Sequence, residues 1–315
     1  MILALSGGVG GAKLALGLAR VMPPEELAVI VNTADDFEHL GLSISPDIDT
    51  VTYTLAGLAN RELGWGRHDE TWSFMETMEA LGGETWFRLG DRDIALHVER
   101  TRRLNNGETL SAVTADLCRR LGIKSRVVPM SDDPVRTRLR TEEGWLDFQE
   151  YFVRRRCEPV VLELLFQGAG AARAHPEFLA ALADPSLQAI VICPSNPFIS
   201  VEPILAIPGV RQALIDSPAP IIAVSPIIAG QAVKGPTAKM MTELGMDPSA
   251  GTVAHRYHDL LDGYVIDHAD MSEVVSIDAR VTLAQTLMRT MEDREALART
   301  VLDAAAVLRR RKATR

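Results

Sequence analysis

A glycine-rich turn close to the start of the chain is the first group of residues that could do chemistry. Gly7, Gly8, Gly10 and Gly11 lie between a short apolar run and a helical pattern that includes Lys13. Glycines let backbone N–H groups come close to an anion, and the first turn of a helix favours negative charge. Because one glycine would suffice for a tight turn, four of them predict a loop that binds phosphate groups.

The sequence of this turn excludes one common phosphate loop and disfavours another. A Walker A motif requires Ser or Thr after its lysine, whereas Leu14 follows Lys13. The dinucleotide fingerprint GxGxxG, read from Gly8, has Lys13 in place of its third glycine. A standard ATPase is therefore excluded, and an NAD site remains a weaker alternative.

Four aspartates form a second candidate cluster. Asp35 and Asp36 follow the second apolar run, and Asp47 and Asp49 fall where a Ser-Pro pair predicts the start of a helix. Helix-end electrostatics could explain the second pair, and binding of a ribose hydroxyl could explain the first. Carboxylates on both segments favour a metal site, and we predict that Asp35, Asp47 and Asp49 bind Mg²⁺.

A charged segment provides the third group, which contains Arg88, Asp91, Arg92 and His97. Each residue alone is unspecific, because an arginine beside an acid is often a surface pair and a helical histidine is often only a hydrogen-bonded partner. Their concentration in ten residues predicts that the segment faces a ligand.

Two proline-containing turns provide the fourth group. Ser195 and Asn196 follow an apolar run, and Lys234 comes soon after a similar turn at Ser225 and Pro226. Prolines beside hydroxyl and amide groups can present fixed hydrogen bonds to a base or a phosphate. Ordinary loop chemistry explains either turn equally well by itself. We predict that Ser195, Asn196 and Lys234 contribute to a nucleotide site.

The elements that must position these residues follow an α/β pattern. Short apolar runs alternate with helical stretches, which is typical of a parallel sheet covered on both faces. The apolar runs are residues 2–5, 27–32, 159–166, 188–193, 220–225 and 263–267. Ligands bind at the carboxyl ends of such strands, where several of the candidates lie. We predict a Rossmann-like, mostly parallel sheet with helices on both faces.

Charged amphipathic segments interrupt this pattern between its second and third runs. Helices are predicted over 70–81, 92–104 and 109–121, short strands near 126–129 and 145–153, and a last helix over 282–311. We therefore predict a nucleotide-binding core formed by residues 1–60 and 155–315. Residues 61–154 are predicted to be an inserted, mainly helical cap that binds an acceptor.

Composition narrows the possible partners. The net charge of −9 argues against nucleic acid, because nucleic-acid sites are usually strongly basic. No apolar run approaches the length of about 18 residues that a membrane span needs, and the N-terminal run lacks a basic leader, which predicts a cytoplasmic protein. Cys118, Cys157 and Cys193 are widely spaced, so neither a zinc site nor a disulfide framework is indicated.

Taken together, the motifs resemble the 2-phospho-L-lactate transferase family of coenzyme F420 biosynthesis. The matching segments occur in order over most of the chain, which is more specific than any single motif. They are SGGVGGAK, VNTADD, SPDIDTVTYTLAG, GWGRHDET, LGDRD, PMSDDPVRT, FQEYFVRRR, CPSNPF, VSPIIAGQAVKGP and DLLDGYVID.

The resemblance implies a reaction. A phospholactyl, phosphoenolpyruvyl or related phospho-acid group would pass from its guanosine diphosphate conjugate to the ribityl hydroxyl of the deazaflavin Fo. GMP would leave, and Mg²⁺ would neutralise the diphosphate.

The resemblance also implies residue roles. The glycine turn with Lys13 would bind the guanosine diphosphate moiety, and Asp49 with Arg88 would bind Fo. Asp91, Arg92 and His97 are further candidates for the Fo site, and Asp35, Asp36 and Asp49 are candidates for catalysis. A homodimer is expected from the frequency of homodimers among soluble proteins.

Two alternatives from other classes stay open. A regulatory protein of the YvcK-like group would share the glycine turn and bind a nucleotide sugar without catalysis. An NAD-dependent oxidoreductase would use Gly8, Gly10 and Asp35 as a modified dinucleotide site.

Overall fold

The computed structural model describes residues 1–60, 64–232 and 235–312. The strands are β1 (Ile2–Ser6), β2 (Leu27–Val31), β3 (Phe37–His39), β4 (Leu42–Ile44), β5 (Arg126–Pro129), β6 (Arg136–Thr141), β7 (Gly144–Asp147), β8 (Val161–Gln167), β9 (Ala189–Ile192), β10 (Ile221–Val224), β11 (Ile227–Ile228), β12 (Gln231–Ala232), β13 (Gly263–Asp267) and β14 (Arg280–Ala284). The helices are α1 (Gly8–Val21), α2 (Pro46–Leu55), α3 (Ser73–Ala80), α4 (Asp91–Asn105), α5 (Leu110–Arg120), α6 (Pro176–Ala183), α7 (Glu202–Leu205), α8 (Val210–Asp216), α9 (Thr237–Glu243), α10 (Ala250–Arg256) and α11 (Met291–Lys312).

A seven-stranded sheet in the order β14-β13-β10-β9-β1-β2-β5 forms the centre of the molecule. Neighbouring strands in it are parallel throughout. From β1 the chain builds one half of the sheet through β2 and β5, and then returns to build the other half from β9 to β14. The order therefore reverses at β1 and β9, and a doubly wound sheet binds its ligand at such a switch point. The predicted Rossmann-like fold is confirmed.

Alternate residues of β1 explain why both faces of the sheet are covered. Leu3 and Leu5 pack into one apolar core with α6, α8 and α10, and Ile2 and Ala4 pack into another with α1, α2 and α11. Side chains alternate between the faces of a strand, so a strand in which every residue is apolar requires a cover on each side. β1, β2, β9 and β10 have every residue buried, as this arrangement demands.

Several elements differ from the predictions. Of the strand predicted near 145–153, only β7 forms, and a helical turn follows at Glu150–Arg154. The run 159–166 forms β8, which pairs antiparallel with β6 in a separate three-stranded sheet with β7. The apolar run predicts a strand, but it carries no information about which strand it pairs with, so it could not show to which sheet β8 belongs. β14 takes up residues at the start of the predicted last helix, which begins at Met291 and not at 282.

Part of the predicted cap belongs to the central sheet. β5 lies within 61–154, yet it pairs in parallel with β2 at the edge of the central sheet. Val127 and Val128 are buried in this four-residue strand. Two apolar residues are too short a run to predict a strand of the central sheet. The helices α3, α4 and α5 do occur close to their predicted positions.

Within the described residues, no single helix has the length and apolar character needed to cross a membrane. One sharply bent pair, Pro197–Leu205 with Val210–Asp216, meets these criteria by length and composition alone.

Candidate functional site

A cleft of about 630 Å³ opens at the carboxyl edge of the central sheet. It is lined by the turns that follow β1, β9 and β10, and by residues from the start of α2. Gly8, Asp35, Asp47 and Ser195 are among its lining residues. The cleft therefore lies where the reversal of strand order predicts a ligand site.

The glycine turn is packed too closely for larger residues. A Cβ at Gly10 would lie 2.2 Å from the carbonyl oxygen of Pro194, and Gly8 has a φ of +62°. The Gly8 N–H donates to Asp47 Oδ1 at 2.6 Å, and the Gly7 N–H donates to Ser195 Oγ at 3.1 Å. Val9 and Gly10, the next residues of the first turn of α1, line the cleft. Amides of a first helical turn have no acceptor within the helix, so an anion in the cleft can accept from them.

Asp35 and Asp47 face each other across one amide group. The Asn32 Nδ2 group donates to Asp47 Oδ2 at 2.9 Å and also to Asp35 Oδ1. Asn32 directly follows β2, and its own Oδ1 accepts from the Ala34 N–H at 3.0 Å, which fixes the amide. The turn after β2 and the first turn of α2 thus bring two carboxylates together beside the glycine turn.

Burial strongly affects both carboxyl groups. It raises the pKa of Asp47 to about 6, against the opposing effect of the hydrogen bonds from Asn32 and Gly8. Burial also raises the pKa of Asp35 well above its usual range, and the neighbouring Asp47 charge adds to this effect. Two neighbouring carboxyl groups are difficult to ionise at the same time, and a bound cation would stabilise the form in which both are charged.

The Asp35–Asp47 pair fits a divalent cation, and Asp49 does not join it. Both Asp49 oxygens accept from the Arg100 guanidinium, one of them at 3.1 Å. Among the described residues, no group of three or more His, Cys, Asp or Glu side chains is arranged to hold a metal ion. Mg²⁺ commonly uses one or two protein carboxylates and completes its shell with phosphate oxygens and water. The arrangement thus separates Asp49 from the predicted set of three ligands, and metal binding by Asp35 and Asp47 stays a prediction.

Asp36 lies buried next to this pair, and its Oδ2 accepts from Ser45 Oγ at 2.8 Å. Burial raises the pKa of Asp36 to about 7, although Arg136 and Arg100 act to lower it. The folded value lies above that of an unfolded chain, about 4. The proton therefore stabilises the folded protein at low pH, and this contribution is lost as the pH rises to about 7.

We expect Asp36→Asn to remove part of the pH dependence of stability. Between about pH 5 and pH 7, its free energy of unfolding should fall less steeply than that of the unsubstituted protein, by on the order of 1 kcal/mol per pH unit. Urea unfolding with a chelator present measures this slope. The exposed neighbour Glu38 gives a matched control, because Glu38→Gln should leave the slope unchanged. Equal slopes for Asp36→Asn and the unsubstituted protein would contradict the assignment.

Asp49 and His97 belong to a buried ionic network between α2 and α4. Arg100 is 1% exposed, and it lies 3.2 Å from His97 Nδ1 and 3.3 Å from the carbonyl oxygen of Ser43. His97 Nε2 lies 3.2 Å from Asp93 Oδ1, which also accepts from the Tyr53 hydroxyl. Burial acts to raise the pKa of Asp93, but the contacts with His97 and Tyr53 lower it below its usual value. The network joins two elements behind the cleft.

The remaining predicted acceptor residues occupy different environments. Arg88 lines the cleft, and its guanidinium lies 4.6 Å from the centre of the Trp72 ring. Asp91 accepts from the N–H groups of Ser73 and Phe74 at the start of α3, at 3.2 and 3.0 Å. Arg92 is exposed. Of the acceptor residues on this segment, the structure thus brings Arg88 to the cleft and gives Asp91 a helix-capping role.

Most of the predicted nucleotide residues that are described line the cleft, whereas Gly11 is buried and does not. Ser195 and Asn196 line the cleft, and Asn196 Oδ1 caps the following turn by accepting from the Phe198 N–H at 2.9 Å. Lys13 also lines the cleft, and its Nζ donates to the carbonyl oxygen of Met288 at 2.9 Å. Lys234 lies outside the described residues.

Aromatic side chains form one wall of the cleft. This aromatic wall consists of Trp65, Trp86, Phe87, Phe148 and Phe152. Phe148 and Phe152 stack with their ring centres 5.2 Å apart, and Trp86 and Phe87 meet edge to face at 5.8 Å. Flat apolar surfaces of this kind suit a planar ring system.

Several of these residues were not identified from the sequence. Asn32 could have been found, because an amide directly after β2 lies at the carboxyl ends of the strands, where such a sheet binds its ligand. Arg100 gave no such signal, since one arginine among many on a charged helix predicts a solvated side chain. The aromatic wall is assembled from three separate segments, so no local pattern pointed to it.

Comparison with known proteins gives consistent results along the chain. The model of one protein family, 2-phospho-L-lactate transferase CofD, matches residues 2–306. The chain is 42% identical over 318 residues to a phosphoenolpyruvate transferase of Kitasatospora aureofaciens, with 98% of each protein covered. It is 38% identical over 302 residues to a 2-phospho-L-lactate transferase of Methanosarcina mazei, covering 95% of this chain and 98% of that protein.

A solved structure shows a similar fold. It belongs to a UPF0052 family protein of Bacillus halodurans and superimposes with a TM-score of 0.65, covering 96% of this chain and 98% of that chain. Because the two sequences are only 14% identical, the similarity concerns the fold alone.

Proposed function

The chain belongs to the 2-phospho-L-lactate transferase CofD family, and from this premise we propose that it builds the core of coenzyme F420. The protein is a transferase, as the family is. In the proposed reaction, a phospho-acid group passes from its guanosine diphosphate conjugate to the ribityl hydroxyl of 7,8-didemethyl-8-hydroxy-5-deazariboflavin (Fo).

One observation carries the proposal. A single cleft joins the first turn of α1, the Asp35–Asp47 pair and the aromatic wall. The helix start suits a diphosphate, the carboxylates suit a cation that accompanies it, and the aromatic wall suits a deazaflavin ring. This combination supports transfer between a nucleotide and a planar acceptor, whereas an NAD-dependent hydride transfer gives no reason for the paired acids.

The proposed step forms one P–O bond and breaks another. The ribityl oxygen attacks the phosphorus nearer the acid and forms a new P–O bond. The bond from that phosphorus to the bridging oxygen breaks, and GMP leaves with the bridging oxygen. Phosphoryl transfer depends mainly on alignment and charge stabilisation, so the chief task of the cleft is to hold the two substrates in line.

The chain's own residues divide this task. Amides of the glycine turn bind the diphosphate, and Arg88 with the aromatic wall orients Fo. Asp47 uses both carboxylate oxygens in hydrogen bonds with Gly8 and Asn32. Asp35 accepts from Asn32 through Oδ1, and we assign Asp35 Oδ2 to receive the hydroxyl proton. A carboxylate oxygen that accepts one hydrogen bond keeps a second lone pair, so Mg²⁺ held by Asp35 and Asp47 beside these bonds would supply charge neutralisation of the diphosphate.

The relatives favour one donor acid. The relative from Kitasatospora, named a phosphoenolpyruvate transferase, is more similar to this chain than the methanogen relative named a phospholactate transferase. We therefore propose the phosphoenolpyruvyl conjugate as the preferred donor over the phospholactyl and phosphoglyceryl conjugates.

Incubation of the protein with Fo, Mg²⁺ and each guanylyl donor in turn tests the reaction and the donor together. Mass analysis of the deazaflavin should show addition of the phospho-acid group, fastest with the phosphoenolpyruvyl conjugate, with GMP released in equal amount. Binding of a nucleotide without any transfer would favour the regulatory alternative. Thermal stabilisation by NAD and not by GDP would favour an oxidoreductase, since a ligand of the folded state raises its apparent stability.

We also propose that the protein acts in the cytoplasm as a homodimer. β8 lies at an edge of the three-stranded sheet and exposes Leu162 and Leu165, which are 41% and 47% exposed. An exposed apolar edge strand is a surface that a second copy could cover. Light scattering should give twice the chain mass, and Leu165→Glu should lower it; a monomeric mass for the unsubstituted protein would contradict the homodimer.

A further inference from the structure

The segment between β14 and α11 runs along the cleft. Residues 285–290 form this segment, which we call the C-terminal strap. Thr286 and Met288 line the cleft and are each 5% exposed, whereas Gln285 before them and Arg289 after them are exposed. Alternate residues of the strap therefore form part of the cleft wall.

Side chains from three other elements hold the C-terminal strap. Asp293 of α11 accepts from the last two N–H groups of the strap at 2.9 and 2.8 Å, and β13 and α1 provide the other contacts. Asp267, at the end of β13, accepts through Oδ2 from the Thr286 N–H at 2.8 Å and from the Thr286 hydroxyl at 3.2 Å. Lys13 of α1 donates to the carbonyl oxygen of Met288 at 2.9 Å. The two bonds to Asp267 involve a carboxylate, and such charge-assisted hydrogen bonds are stronger than neutral ones. Asp267 is therefore placed to fix the position of Thr286 and of the wall that continues from it.

The geometry of the proposed reaction indicates which part of the donor lies against the C-terminal strap. The acids follow β2 or lie on α2, and Trp86 and Phe87 of the aromatic wall contact Phe37 in β3, shortly after β2. The strap instead follows β14, the edge strand on the other side of β1 and its glycine turn. Attacking and leaving oxygens are roughly in line in phosphoryl transfer. If Fo approaches from the aromatic side, the nucleoside of the leaving GMP extends towards the strap.

We propose that Asp267 is a positioning residue for the nucleoside of the donor. It holds the C-terminal strap so that Thr286 and Met288 pack against that nucleoside, while the glycine turn binds the diphosphate. This inference rests on the proposed function, and it assigns donor affinity to a carboxylate that does not itself line the cleft.

Binding of GDP and of inorganic pyrophosphate separates the two parts of the donor site, because pyrophosphate lacks the nucleoside. Calorimetry in the presence of Mg²⁺ should show that Asp267→Ala weakens GDP binding about tenfold and leaves pyrophosphate binding within about twofold. Asp267→Asn keeps an oxygen that can accept from the Thr286 N–H, so it should restore most of the affinity. Asp184→Ala is the matched control, because Asp184 also accepts from a backbone N–H, that of Ser186 at 2.7 Å, but lies before β9, at the amino ends of the strands and away from the cleft.

Steady-state kinetics provide a readout that general destabilisation would not give. For Asp267→Ala, the KM of the guanylyl donor should rise about tenfold, while kcat and the KM of Fo stay within about twofold. Met288→Ala shortens the wall and leaves the bonds to Asp267 in place, so it should also weaken GDP binding and spare pyrophosphate. This variant decides the question if Asp267→Ala does not fold.

Two results would overturn the inference. One is unchanged GDP affinity in Asp267→Ala and Met288→Ala, and the other is an equal loss of GDP and pyrophosphate affinity. Failure of the proposed function looks different, since the unsubstituted protein would then form no deazaflavin product, whether or not it binds GDP.

Discussion

Asp47→Asn is expected to lower kcat by about 100- to 1,000-fold with little effect on folding. This loss corresponds to about 2.7 to 4 kcal/mol of transition-state stabilisation, the size seen when a preorganised group is removed from a developing charge. Asp47 is the carboxylate that contacts the glycine turn, through Gly8, and shares Asn32 with Asp35. Asparagine keeps the shape and one acceptor oxygen, so the variant removes the charge and preserves most of the packing.

The measurement is turnover of Fo at saturating donor, followed over a range of Mg²⁺ concentrations. Asp47→Asn should need more Mg²⁺ for half-maximal rate, because a cation at this place loses one of its two protein carboxylates. Asp303 lies exposed on α11, and Asp303→Asn should behave like the unsubstituted enzyme. Near-normal turnover of Asp47→Asn with an unchanged Mg²⁺ requirement would remove Asp47 from the mechanism.

Arg100→Met is expected to lower the free energy of unfolding by about 3 to 5 kcal/mol. Arg100 is fully buried, and its guanidinium pairs with both oxygens of Asp49. Its removal leaves the Asp49 carboxylate buried without its cation, which costs more than the hydrogen bonds themselves. Such a loss is a large part of the stability of a typical protein.

This effect is measured by comparing the urea unfolding of Arg100→Met with that of Arg102→Met, since both arginines lie on α4. Arg102 pairs with Glu99 at 2.9 Å on the exposed side of α4, and its loss should change stability by no more than about 0.5 kcal/mol. Replacing both partners, as in Asp49→Leu with Arg100→Met, should recover most of the loss, because an apolar pair leaves no buried charge. If the double variant is no more stable than Arg100→Met alone, the unpaired carboxylate is not the cause.

These two expectations assign different roles to neighbouring aspartates of α2. Asp47 points into the cleft, whereas Asp49, two residues later, pairs with Arg100 behind it. Residues two apart on a helix lie on different sides of it. The prediction that Asp49 binds metal with Asp35 and Asp47 overlooked this separation. A role for Asp49 in holding Fo is still a prediction, and in the structure its influence on the cleft runs through the position of α2.

Local sequence determined the elements whose signals are contained within a few residues. An apolar β1 followed by four glycines and a helical pattern predicted the turn at the start of α1, because close backbone approach is a local requirement. The buried strands β2, β9, β10 and β13 were likewise visible as short apolar runs, and their alternation with helices predicted the parallel sheet. Collinear motifs over most of the chain predicted the family, which the family match confirms.

Tertiary structure decided which of the candidate side chains meet. The four aspartates of the candidate cluster look alike in sequence, but the register of α2 against β2 selects Asp35 and Asp47 as the pair bridged by Asn32. The cation that meets Asp49 comes from α4, and the anion that holds the C-terminal strap comes from the end of β13. These contacts join residues far apart along the chain, and their energies depend on burial, which exists only once the sheet and both of its helical layers have packed.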